Sequence, residues 1–315
     1  MKRIMLRFSG SLSALASGLL LSSTQAQDYS QYYTTLHPQE FVENFTRDLY
    51  VKGNELTTQT RAQFPHHLDI PYGTDPKQRQ DLYLPQGTVT GAPVLLFIHG
   101  GGFLEGDRAH YGFVARPYAT HGIITAIMSY RLTGSGSVYP AQKEDIEAAI
   151  LWLHKHAGEY GGDPSALYVT GHSAGAVLSA EVGVDRAWLT RAGVDAHVLR
   201  GIAPVSGPYD LRHLEEMANY VPTDRVSAEA SPLLHITSPV PFAVISYGTN
   251  NAEEDTYSVS ARKFITALRK RGTQVEPVVL QGSGHIATAM ALGTPGSALS
   301  DAVLKMIATT SGAAR

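Results

Sequence analysis

The sequence predicts an α/β fold, a mostly parallel central sheet with helices on both faces, on three observations. Continuous apolar runs such as "APVLLFIHG" and "GIITAIMSYR" recur along the chain. Runs without polar alternation are the pattern of strands buried on both faces. Between such runs stand stretches of helical spacing, as in "PAQKEDIEAAILWLHKHAGEYG", where Ile146, Ile150, Leu151 and Leu153 fall near one face and Gly161-Gly162 close the segment. No repeat, low-complexity tract or linker interrupts this rhythm, so one domain is expected, with sequential strands joined by crossover helices.

The elements follow in order. "MKRIMLR" supplies a basic start (Lys2, Arg3, Arg7), "LSALASGLLL" an apolar core too short to span a bilayer, and "STQAQ" a small-residue cleavage site after Ala26. Residues 1–26 are therefore expected to be a signal peptide, and the mature chain an exported protein, periplasmic or secreted. Residues 27–65 are polar with spaced aromatics, including Phe41 and Phe45, and are expected to form one or two helices as a small N-terminal cap. "HHLDIPYG" and "RQDLYLP" form an early antiparallel pair. "ALYVTGHSAGAVLSAEVG" is a strand running through a tight turn into a helix. "RGIAPVSG" and "PFAVISYG" are further strands, "YSVSARKFITALRKRG" a helix, "VEPVVLQG" a strand, and a last helix follows from about residue 286.

Composition removes several functions. The net charge is -3 and the pI about 6.5, which gives no electrostatic case for nucleic acid or anionic membrane. Loss of Lys2, Arg3 and Arg7 with no acidic residue before Gln27 would take the charge from -3 to -6. There is no cysteine, so disulfides, thiolate metal sites and cysteine nucleophiles are excluded. His154 and His156 lie two apart on a helix and face different ways, and His66-His67 are neighbours on a strand with opposite faces. No metal is assigned to either pair.

Three short motifs carry the chemistry. In "GHSAG", Gly171 and Gly175 let strand and helix approach around a sharp turn, which forces Ser173 into a strained, exposed position at the end of a strand. A serine hydroxyl needs a base to take its proton. Among 13 histidines, position singles out His285, in "VEPVVLQGSGH" after the last strand. His172 is expected to point away from its neighbour and to pack. "HGGGF", residues 99–103, follows a buried strand and presents bare backbone amides. The expected donors to a developing oxyanion are the N–H groups of Gly101, Gly102 and Ala174.

Taken together, "YGTDPKQRQDLYLP", "HGGGF", "YPAQKEDIEAAILWL", "GGDPSALYVTGHSAG", "VSGPYDL" and "GSGH" resemble the hormone-sensitive-lipase-like group of α/β-hydrolases. Within it the chain looks close to the kynurenine formamidase (arylformamidase) and small-ester esterase branch, over roughly residues 68 to 290. The resemblance implies an α/β-hydrolase catalytic domain over 66–315, with Ser173 as nucleophile, His285 as general base, and Gly101 and Gly102 as oxyanion glycines. It also implies structural roles for Asp145 and Asp210. Formamidases commonly carry another residue in place of the third glycine, so "HGGGF" leans towards esterases.

The acid of a Ser-acid-His set is expected between "PFAVISYG" and the helix near Tyr257. The family places it three residues after the strand's glycine, which from Gly248 gives the uncharged Asn251. The register of the following helix instead gives Glu253, with two extra loop residues. Glu253 is the expected acid and Glu254 the first alternative; Asp255 could also substitute, its other reading being the helix N-cap.

The function expected is a serine carboxylesterase on small acyl or aryl esters, needing no cofactor or metal. Its partner would be a small-molecule ester or amide, with no nucleic acid and no membrane after signal cleavage; a homodimer is left open. An arylformamidase would share every catalytic residue. A catalytically inactive hydrolase fold used as a binding module is the reading from another class.

Overall fold

The computed structural model describes residues 38–212, 214, 218–249 and 254–311, with side chains from Leu49 onward and without those of 254 and 255. The expected signal peptide, Asn251 and Glu253 lie outside the described residues. So do the side chains of Phe41 and Phe45.

An eight-stranded sheet forms the centre, in the order β1-β2-β4-β3-β5-β6-β7-β8. Its strands are β1 (His66–Pro71), β2 (Arg79–Tyr83), β3 (Ala92–Ile98), β4 (Ile124–Met128), β5 (Gly162–His172), β6 (Leu199–Val205), β7 (Phe242–Gly248) and β8 (Gln274–Leu280). β1 pairs antiparallel with β2, and β2 with β4; every other pairing is parallel. The mostly parallel sheet and the early antiparallel pair are both as the sequence predicts.

β3 shows why its strand has no polar residue. Val94, Leu96 and Ile98 face one layer, built from Ile146, Ile150 and Leu153 of α3 (Ala141–His156) and Val177 and Leu178 of α4 (Ala174–Val184). Leu95 and Phe97 face the other, with Tyr118 of α2 (Ala115–Thr120), Ile286 and Met290 of α8 (His285–Leu292), and Val303 and Met306 of α9 (Ala298–Ser311). With period two along a strand, helices on both faces demand apolar residues at every position. A third cluster joins β7 to Phe264, Ile265 and Leu268 of α7 (Val259–Lys270). Among the described residues no helix is long and apolar enough to cross a membrane.

The described part of the N-terminal segment forms one helix, α1 (Pro38–Gln63). Its second half lies against residues 108–114 and β2. Thr57 Oγ1 donates to the His110 carbonyl at 3.3 Å and accepts from Phe113 N at 3.2 Å, while Arg61 Nε donates to Tyr83 Oη at 3.1 Å. The register differs at one expected helix start. α7 begins at Val259, with Ser258 at the N-cap position but making no side-chain cap bond, behind a π-helical turn over Glu254–Ser258. Asp255 is therefore inside that turn and is not the N-cap, because the chain makes a wider turn before the helix settles.

Asp145 acts as the structural anchor that the resemblance implies. Fully buried on α3, it accepts from Arg131 N at 2.7 Å, Arg131 Nε at 2.9 Å and Gln78 Nε2 at 2.7 Å. One carboxylate thus holds the chain leaving β4 and the chain entering β2. Asp210 pairs with Arg212 at 2.8 Å and accepts its backbone N–H at 3.3 Å, fixing the loop after β6.

Candidate active site

Ser173 stands between the end of β5 and the start of α4, with φ 58° and ψ -119°. A non-glycine residue there carries strain of order 1–3 kcal/mol and persists only where its surroundings impose it. They do so here by closeness. A Cβ on Gly171 would meet the Gly175 carbonyl, and one on Gly175 would meet the Ile98 carbonyl, so α4 lies on the strand ends as only glycines permit. The Ser173 amide donates to the Val205 carbonyl at 3.0 Å, and its own carbonyl accepts from Ala176 N at 2.9 Å. The side chain sits at the C-terminal edge of the sheet, half-buried, while α4 behind it is buried all round, as its apolar composition requires.

The "HGGGF" loop lies directly against this turn. A Cβ on Gly100 would come within 2.9 Å of Ser173 Cβ and of the His172 carbonyl oxygen. Gly101 and Gly102 hold φ of 112° and 60°, backbone that favours glycine. The loop is locked at both ends. His99, buried and stacked 4.4 Å from Tyr130, donates from Nδ1 to the Gly100 carbonyl at 2.7 Å. Burial holds the His99 pKa down to about 4. Phe103 stacks on Tyr220 at 3.6 Å with the rings 8° from parallel. Among the described residues, the Gly101, Gly102 and Ala174 amides donate to no other backbone carbonyl, which leaves these expected donors available to a ligand.

His285 is the first residue of α8, after the loop closing β8, and is 4% exposed. Burial, and then the neighbouring His172, hold its pKa well below the ordinary imidazole value. Its neutral form is the one a general base needs. The Tyr257 ring stacks on its imidazole at 4.4 Å and 16°. That contact places the turn before α7 beside His285, where an orienting acid has to come from. Glu254 and Asp255 open this turn. Thr249 joins the two loops, accepting from Gly282 N at 2.9 Å and bonding Gln281 Oε1 at 3.0 Å.

The expectation for His172 needs correction. It does not simply pack: Nε2 lies 2.9 Å from the His285 carbonyl oxygen, and the two rings are 4.4 Å apart. Thr288 Oγ1 donates to the same carbonyl at 2.6 Å and bonds Ser206 Oγ at 2.9 Å. Ser206, at the end of β6, has φ 52° and donates from its backbone N to the Ser246 carbonyl at 2.8 Å. Sequence reading missed Ser206, Tyr257 and Thr288; only the position of His172 beside the nucleophile hinted at its part. His154 and His156 lie elsewhere, His154 bonded to the Pro164 carbonyl at 2.9 Å and His156 to Glu159 at 2.8 Å. Among the described residues no three His, Asp or Glu side chains are grouped to hold a metal ion.

Comparison with known proteins fits this arrangement. The probable isoprenylcysteine alpha-carbonyl methylesterase ICMEL1 of Arabidopsis thaliana is 26% identical over 246 residues, covering 69% of this chain and 50% of that one. Esterase LipC of Mycobacterium tuberculosis is 30% identical over 247 residues, with 71% and 60% covered. The kynurenine formamidase of Danio rerio is 26% identical over 265 residues, with 80% and 85% covered. The chain spans half to three fifths of the length of the first two relatives. Among solved structures, the carboxylesterase EstE1 from a metagenomic library superposes with a TM-score of 0.67 at 20% identity, covering 88% of this chain and 97% of that one. A hyperthermophilic esterase from Pyrobaculum calidifontis gives 0.68 at 18%, with 86% and 93% covered. The BD-FAE family model matches residues 80–253, more than half of the 315 residues. Strand order, strained serine turn and family match agree: the chain has the α/β-hydrolase fold and belongs to the BD-FAE family.

Proposed function

We propose that the protein is a serine carboxylesterase that cleaves small acyl or aryl esters through an acyl-enzyme on Ser173. The observation that carries this reading is the strained Ser173 turn, set against the "HGGGF" loop on one side and bonded through His172 to the His285 backbone on the other. In the proposed reaction Ser173 Oγ attacks the acyl carbon while His285 takes its proton. The tetrahedral oxyanion forms against the amides of Gly101, Gly102 and Ala174. His285 then gives the proton to the departing alkoxide, and water, deprotonated by the same imidazole, releases the acid. Glu253 is proposed as the acid that orients His285, with Glu254 as alternative, because Glu254 opens the turn that brings Tyr257 onto the imidazole and Glu253 precedes it in sequence.

Hydrolysis of p-nitrophenyl acetate, butyrate and octanoate, with Ser173→Ala as control, tests the reading. An arylformamidase is the second reading, favoured by the 85% of the Danio rerio kynurenine formamidase that the chain covers. N-Formylkynurenine in the same assay separates the two. Export after cleavage at Ala26 is also proposed, from the basic and apolar start of the chain; the N-terminal sequence of the mature protein checks it. The segment 27–65 is proposed as a cap that shapes the substrate pocket.

A further inference from the structure

We infer that His172 and Thr288 are positioning residues that hold the catalytic imidazole by clamping the backbone carbonyl of His285. The inference rests on the serine hydrolase reading and deepens it. His285 opens α8 directly after a glycine-rich stretch, Gly282-Ser283-Gly284, in which Gly282 has φ 68° and is exposed. The glycines themselves do not stiffen the approach to the imidazole. Thr249 Oγ1 accepts from Gly282 N at 2.9 Å and the Tyr257 ring stacks on the imidazole. A general base displaced by about 1 Å can lose about 100-fold in rate.

The structure supplies the stiffness from elsewhere. The His285 carbonyl accepts from Thr288 Oγ1 at 2.6 Å, one turn on, and from His172 Nε2 at 2.9 Å, which is 113 residues away in sequence. A carbonyl only accepts, so the proton of His172 is on Nε2. Burial holds the His172 pKa down to about 4, and the ring therefore stays a neutral single donor throughout the working range. Ser206 Oγ sits 2.9 Å from Thr288 Oγ1 and fixes that hydroxyl in turn.

Both ends of the clamp are anchored. His172 is the last residue of β5 and 1% exposed; its backbone leads straight into Ser173. Ser206 follows β6 and is tied to the end of β7 through the Ser246 carbonyl at 2.8 Å. The clamp thus refers the base to the same strand ends that carry the nucleophile.

Paired substitutions separate donation from bulk. His172→Gln keeps a donor near the Nε2 position and His172→Phe keeps the ring without one; Thr288→Ser keeps the hydroxyl and Thr288→Val keeps the shape without it. On p-nitrophenyl butyrate, His172→Phe and Thr288→Val are expected to lower kcat by about 10- to 100-fold with KM within about twofold. Their rate of labelling by a fluorophosphonate probe should fall in step, while His172→Gln and Thr288→Ser recover most of both. The Thr288 pair carries the test if His172→Phe does not fold. Folded Phe and Val variants with wild-type kcat and labelling would overturn the clamp, as would Gln and Ser variants as impaired as the non-donors. A wild type that is neither active nor labelled would instead sink the serine hydrolase reading itself.

Discussion

Glu181 lies near the end of α4, 4% exposed, beside a cavity of about 250 Å³ lined also by Tyr139, Lys143, Asp185, Glu229 and His235. Among the described residues, its Oε2 receives only a long contact from Tyr220 Oη, at 3.5 Å, and its Oε1 has no hydrogen-bond partner. Burial pushes its pKa from 4.5 up to about 8, against weaker opposing pulls from Lys143 and Tyr220. The folded protein therefore holds this carboxyl neutral at pH 7, while the unfolded chain releases the proton above 4.5. Between those values the folded state binds more protons, so stability falls as pH rises, by up to about 1.4 kcal/mol per pH unit. His99 and His172, both near pKa 4, and His285 act in the opposite sense: neutral when folded, they make stability rise with pH until the unfolded imidazoles lose their protons near 6.5. Above that the histidines are silent, and from pH 6.5 to 8 Glu181 contributes a loss of about 2 kcal/mol. Glu181→Gln keeps the volume and removes the titration. Urea midpoints of both proteins at pH 6.5, 7.25 and 8 are expected to diverge, with the variant gaining about 2 kcal/mol relative to wild type across the window. Parallel curves would refute the argument, since every other titrating group is common to both proteins.

Further expected outcomes follow from the same geometry. Gly100→Ala places a methyl within 2.9 Å of Ser173 Cβ and of the His172 carbonyl; activity on p-nitrophenyl butyrate should fall by at least about tenfold while the far-UV spectrum is kept. Asp145→Ala leaves Arg131 without its main acceptor and should cost about 3 kcal/mol in urea unfolding. Because burial keeps the His285 pKa well below 6.5, the acid limb of kcat/KM should fall below that pH. Of Asn251→Ala, Glu253→Ala and Glu254→Ala, the Glu253 variant should lose most, on the order of 1,000-fold or more in kcat.

The parts of the fold legible in the sequence are those set by local pattern. The unbroken apolar run of β3 announces a strand covered on both faces, and Gly171-x-Ser173-x-Gly175 announces a turn that only close backbone approach allows. The places of the glycine loop, Ser173 and His285, after β3, β5 and β8, could be read because each follows from strand order. His172 could not be assigned, since its partner carbonyl is 113 residues away and nothing local says which way the ring turns. Tyr257 on His285 and Phe103 on Tyr220 are likewise contacts between distant segments, invisible to spacing. The start of α7 was misplaced because a π-helical turn satisfies the backbone in a register that helix-cap residues do not signal.

The most direct test of the central claim is reaction of the chain from Gln27 with a fluorophosphonate probe, located by peptide mass spectrometry and run beside ester hydrolysis by wild type and Ser173→Ala. The account predicts a single phosphonylated peptide carrying Ser173, with hydrolysis abolished in both the labelled enzyme and the variant. A folded protein that hydrolyses esters with Ser173 unlabelled, or equally well as Ser173→Ala, would contradict it.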